Sequence, residues 1–208
     1  MRNTSAITSR PVARRKRFQN LRLPISPYIV LHVGHMKETR GIQVMKSIQA
    51  LPGVQALLVT STSTSAESDA GMRRELQEAG VRVIDTHLPN IEAYYRASDC
   101  YLFPVTSSQD AIELPLSILE AMASNLPIVT TRFGGVPGLM EGAGPGVAFA
   151  REAGDFPRLI SEFRQAGPRP RLRERVGTLT WEAMAEKVSA ALEQIPARPV
   201  PRIAEARG

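Results

Sequence analysis

The feature that most limits the fold is a series of short apolar runs, each followed by a segment of helical periodicity. Tyr28-Ile-Val-Leu-His-Val-Gly comes first, then Ala56-Leu-Leu-Val-Thr, Val81-Arg-Val-Ile, Cys100-Tyr-Leu-Phe-Pro and Leu126-Pro-Ile-Val-Thr. Runs of this length without polar alternation suit strands covered on both faces. Ile42, Val44, Met45, Ile48 and Leu51 form one stripe of a helix from Gly41 to Leu51, which Pro52-Gly53 closes. A second helix runs from Ala70 to Ala79 with Gly80 as its C-cap, and Asn90 is placed to cap a third over Ile91 to Ser98. Further helices are predicted over Phe156 to Gln165, Arg169 to Arg175 and Trp181 to Ile195. In the last, Trp181, Met184, Val188 and Leu192 are in register, and Trp181 reads as a packing anchor. Alternating β and α units predict an α/β protein with a Rossmann-like, doubly wound parallel sheet and a packing C-terminal helix.

In such sheets ligands bind beyond the carboxyl ends of the strands. That rule gathers Gly34–Gly41, Thr60–Glu67, Asp85–Asn90, Pro104–Glu113 and Thr130–Gly135 on one rim, with most of the residues suited to chemistry. The richest stretch is Asp110 to Thr131. It holds an acidic loop with Asp110 and Glu113, a helix start, an amphipathic helix that Asn125 and Pro127 stop, and a strand. Ser117 and Glu120 have capping-box spacing, in which the Ser hydroxyl and the Glu carboxylate each satisfy a free backbone N–H. The competing reading aims the free amides of this helix at an anion and leaves Glu120 to accept hydrogen bonds from ligand hydroxyls.

Charge is unevenly distributed. Residues 1–26 carry Arg2, Arg10, Arg14, Arg15, Lys16, Arg17 and Arg22 and no acid, so the net +6 of the chain belongs to this arm and the remainder is close to neutral. The expected organisation is a basic disordered arm over 1–26, a folded domain over 27–195 and a disordered Pro-rich tail over 196–208. A nucleic-acid-binding body would carry a basic face of its own, so nucleic acid is not the expected partner. Contact of the arm with acidic lipid stays open, as does a transit-peptide origin for its Arg-rich, acid-free composition. No apolar run reaches the roughly 18 residues of a membrane span, and without an apolar leader core the expected location is cytoplasmic. One cysteine excludes an internal disulfide, and Cys100 reads as a core residue. The three histidines have no ligand spacing, so neither a metal nor a cofactor is expected.

Leu116-Ser-Ile-Leu-Glu-Ala-Met-Ala-Ser-Asn-Leu-Pro-Ile-Val-Thr-Thr followed by Phe133-Gly-Gly-Val-Pro resembles the donor-binding segment of the group 1 (family 4) glycosyltransferases, which have the GT-B fold. That family's pattern is Glu-x7-Glu, Ala-Met-Ala, a Pro-led strand and Gly-Gly-x-Pro-Glu. The resemblance makes Glu120 the ligand of the nucleotide ribose. It puts Ile112 where the family has a sugar-contacting Glu, with Glu113 one residue later, and Gly138 where it has the last Glu. Leu116 and Ser117 open the helix that faces the donor. Gly34-His35-Met-Lys-Glu-Thr-Arg40-Gly resembles the family's Gly-Arg-Leu-x-x-x-Lys-Gly loop, whose Arg and Lys clamp the donor pyrophosphate. Arg40 keeps a charge at the Lys position and is implied to stabilise the leaving diphosphate, with His35 assisting. His87-Leu88-Pro-Asn resembles the segment beside the base, and Trp181-Glu182 the start of the last helix.

The likeness spans about residues 27–195, the carboxyl-terminal half of such an enzyme. It implies a domain that binds a nucleotide-activated sugar and transfers it with a separate acceptor-binding half. The alternative is a non-catalytic nucleotide-sugar binding module or a truncated, inactive fragment, to which Ile112, His35 and Gly138 point.

Overall fold

The computed structural model describes residues 21, 23, 27–60, 67–86, 88–107, 111–142, 144–167 and 170–194. Most of the basic arm, His87, Gln109, Asp110 and the Pro-rich tail lie outside the described residues. The strands are β1 (Tyr28–Val33), β2 (Val54–Thr60), β3 (Arg82–Asp85), β4 (Cys100–Phe103), β5 (Ile128–Thr130) and β6 (Val147–Phe149). They form one sheet in the order β3-β2-β1-β4-β5-β6, and every adjacent pair is parallel. The helices are α1 (Val44–Gln49), α2 (Glu67–Glu78), α3 (Ile91–Ala97), α4 (Leu116–Ala123), α5 (Val136–Met140), α6 (Asp155–Ala166), α7 (Arg173–Val176) and α8 (Trp181–Glu193). The Rossmann-like, doubly wound parallel sheet read from the sequence is therefore present.

The central strands explain the two-sided apolar runs. Ile29, Leu31, Tyr101 and Phe103 face a core built with α3, α4 and α5. Val30, Leu102 and Val129 face a second core built with α1, α2 and α6. Each strand thus lies between two helical layers. Leu23 is buried and Leu21 packs against the first core, so the arm joins the fold before residue 27.

Several local expectations change. Gly41 takes a left-handed conformation (φ +70°) at the end of a single 3-10 turn over Glu38–Arg40, so α1 begins at Val44 rather than at Gly41. A Cβ at position 41 would lie 2.6 Å from the Pro104 carbonyl oxygen, so the glycine also permits β1's loop to close on β4's. Asn90 occupies the N-cap position of α3 but makes no side-chain capping bond. Asn125, at φ +53°, and Gly80, at φ +87°, end their helices in left-handed conformations.

The largest correction concerns the last helix. Thr180 caps α8 by accepting from the Ala183 amide at 3.2 Å. Its apolar face, however, does not pack on the body. Trp181 is 77% exposed, and Met184, Val188 and Leu192 are exposed with it. Helical periodicity requires a partner for that stripe but does not say on which body the partner lies.

Candidate functional site

Strand order reverses between β1 and β4, the point at which a doubly wound sheet opens a crevice at its carboxyl end. Two loops leave the sheet there, one after β1 with Gly34, His35 and Arg40, and one after β4 leading to Glu113 and α4. They are drawn together by Gly41 beneath Pro104 and by His32, whose Nδ1 lies 2.9 Å from the Leu102 carbonyl oxygen across the strand pair.

α4 starts two residues earlier than the capping-box reading requires. Pro115 is its N-cap (φ −65°, ψ 125°), and no side chain caps the helix. The proline ring fixes φ and sends the chain into the helix at Leu116, so Ser117 falls inside the first turn. Ser117 instead approaches the hydroxyl of Tyr101, which donates to the Val33 carbonyl at 3.3 Å. Glu120, one turn on, is exposed and lies beside the hydroxyl of Tyr95, itself next to Tyr101. Burial pushes both phenols well above their ordinary range, so they act as neutral hydrogen-bonding groups. The capping-box role of Glu120 is overturned, and its carboxylate is available at the surface.

Glu113 is exposed, and its backbone is fixed by the turn after the neighbouring strand β5. Its carbonyl accepts from the Gly135 amide at 2.9 Å, and Gly134 lies against its carboxylate. Leu116 and Ile112 are also exposed, at 60% and 62%. The start of α4 therefore presents an apolar edge beside an acidic one. Leu88 is half-buried just ahead of α3 and packs against the first core. A cleft of about 390 Å³ separates α3 from α4, lined among others by Ile91, Tyr95, Arg96, Glu120, Asn125 and Arg173. Its lining lies on the helices and holds no residue of the strand-end loops, so it is not the crevice at the end of the sheet.

Sequence reasoning missed three residues here. His32 reads as one polar residue in an apolar strand, yet it is fully buried at the point where strand order reverses. Tyr95 lies in a predicted helix and Tyr101 in an apolar run, with nothing local to single them out, yet their hydroxyls stand beside Glu120 and Ser117. Among the described residues, no group of three or more His, Cys, Asp or Glu could hold a metal ion. Nor is any described helix long and apolar enough to cross a membrane.

The strand order and the flanking helices define a Rossmann-like, doubly wound α/β domain. Residues 27–165 match the family model of the group 1 glycosyl transferases, and the chain belongs to that family. It is similar to the D-inositol 3-phosphate glycosyltransferase of Segniliparus rotundus, with 27% identity over 82% of this chain and 40% of that protein. The D-inositol 3-phosphate glycosyltransferase of an Arthrobacter species is 26% identical over 61% of this chain and 31% of that protein. The chain thus spans less than half the length of these curated relatives. Among solved structures, sucrose-phosphate synthase of Thermosynechococcus elongatus superposes with a TM-score of 0.70 at 24% identity, over 86% of this chain and 48% of that one. HepE of Anabaena in complex with UDP-glucose gives 0.71 at 18% identity, over 89% and 53%. At these identities the likeness establishes the shared fold.

Proposed function

We propose that this chain is the donor-binding part of a glycosyltransferase, which binds a nucleotide-activated sugar and passes the sugar to an acceptor held by a separate half. The observation that carries this reading is the exposed Glu120 carboxylate on α4, free of any capping duty, on the helix that follows the strand-end loop after β4. The ribose hydroxyls donate to Glu120. The diphosphate lies against Gly34, His35 and Arg40 and against the amides of Leu116 and Ser117 at the helix start. Leu88 borders the base, and Glu113 faces the sugar. Arg40 supplies the electrostatic stabilisation of the departing diphosphate.

Transfer also requires an oriented acceptor and exclusion of water. The exposed Ile112 and Leu116 beside the crevice, and the apolar face of α8, are surfaces suited to a second half. A location in the cytoplasm accords with a soluble nucleotide-sugar as donor.

A second reading, a binding module without transfer, is favoured by one observation. Ile112 and Gly138 stand where the family carries carboxylates, and nothing lies within 4 Å of where a Cβ at 138 would be. Calorimetric titration of the purified chain with UDP, GDP, ADP and their sugar conjugates tests both readings. Tighter binding of one conjugate than of its parent diphosphate supports the donor site. Hydrolysis or transfer of the bound sugar separates the donor part from a module that binds without transfer, and absence of binding at millimolar ligand removes both.

A further inference from the structure

His32 is an anomaly in β1. It is completely buried, flanked by apolar residues, and stacks loosely against Tyr101 (6.5 Å between ring centroids, 22° between planes). The Leu102 carbonyl 2.9 Å from Nδ1 can only accept, so the proton resides on Nδ1 and Nε2 carries a bare lone pair. That lone pair is enclosed, and no described residue donates to it. Burial drives the imidazole down to about 4, with the nearby positive charge of Arg40 acting in the same direction, so the ring stays neutral and an acceptor at physiological pH.

The surroundings of Nε2 indicate its partner. A Cβ at position 34 would lie 3.0 Å from His32 Nε2 and 3.1 Å from Arg40 Nη1. The imidazole and the guanidinium therefore face one another across the bare Cα of Gly34. The tyrosine nearest the ring is no competitor, because its hydroxyl donates to the Val33 carbonyl.

We propose that His32 is the positioning residue for Arg40: when a diphosphate binds, the Nε2 lone pair accepts one guanidinium N–H and thereby turns the remaining N–H groups toward the phosphate oxygens. This rests on the donor-site reading above. An acceptor fixed in a strand selects one orientation of a long side chain. A bidentate arrangement on phosphate needs that selection, because both N–H groups must be aimed together. Glycine at 34 keeps the space between the two side chains clear.

The test uses the full chain and inorganic pyrophosphate as probe, followed by calorimetry and by 15N resonances of the histidine side chains. On saturation with pyrophosphate, the Nε2 resonance of His32 moves in the direction of an accepted hydrogen bond. His32→Phe, with an unchanged near-UV circular dichroism spectrum, binds pyrophosphate about tenfold more weakly, the loss expected when a charge-assisted contact is misaligned. His32→Gln restores most of the affinity, since its amide oxygen can accept. A purely structural role would lower the melting temperature of both variants and leave pyrophosphate affinity unchanged, and that result overturns the proposal. If His32→Phe fails to fold, the wild-type Nε2 resonance decides alone: unmoved at saturation, it removes the role of His32. Absence of pyrophosphate binding by the wild type removes the donor-site reading and this inference together. Binding with an unmoved Nε2 removes only the inference.

Discussion

The amide of Gly135 donates to the carbonyl of Glu113 at 2.9 Å, tying the loop ahead of α4 to the turn after β5. Gly134 makes this approach feasible. Its φ is +46°, and a Cβ there would stand 2.6 Å from the Glu113 carbonyl oxygen and 2.9 Å from its carboxylate. Gly134→Ala therefore forces both an unfavourable backbone conformation and a clash with backbone. The expected loss is about 1–3 kcal/mol of stability, read from urea unfolding. Gly138→Ala, inside α5 where a Cβ meets nothing within 4 Å, serves as the control and should keep or raise stability, by up to about 1 kcal/mol.

Glu120 offers a separation of binding from stability. Because Pro115 is the N-cap and no side chain caps α4, Glu120→Ala removes no capping bond. The variant should melt near the wild-type temperature. A hydrogen bond to a charged group contributes about 1.5–3 kcal/mol, so nucleotide diphosphate binding should weaken roughly tenfold to a hundredfold. A large drop in melting temperature with unchanged affinity would return Glu120 to a structural role.

His32 should leave a signature in stability against pH. In the unfolded chain the imidazole takes a proton near 6.5, whereas in the folded chain it does so only near 4. Between those values the unfolded state binds more protons, so stability falls as pH drops through this window and is fully present above it. The full difference corresponds to roughly 3 kcal/mol. Urea midpoints measured from pH 4 to 7.5 should show this slope, and His32→Phe should flatten it, whatever its lower absolute stability.

Trp181 is the chain's single tryptophan and is 77% exposed. Its fluorescence should be that of a solvated indole, and Trp181→Ala should shift stability by no more than about 0.5 kcal/mol. A blue-shifted emission, or a clear loss of stability, would mean that α8 is covered in the chain as it exists in solution.

The sheet and its strand-end loops were legible because their causes are local. Apolar runs without alternation specify strands covered on both sides, and the helical stripes between them specify crossovers. Asn125 and Gly80 were legible as helix ends for the same reason, since both adopt the left-handed conformation that ends a helix. The Ser117–Glu120 spacing was misleading, because a capping box is decided by which residue leaves the helical conformation first. Here Pro115 and the loop it closes make that choice.

What the sequence by itself determined is the α/β architecture, the family and the rim on which the loops gather, all set by patterns within a few residues. Only the tertiary structure decided which side chains meet on that rim. Strand pairing brings His32 beside Leu102 and Arg40, and helix packing brings Tyr95 beside Glu120. It also decided that α8 leaves its apolar face uncovered by the described body. Such contacts depend on segments far apart in the chain, and no local periodicity encodes the register between them.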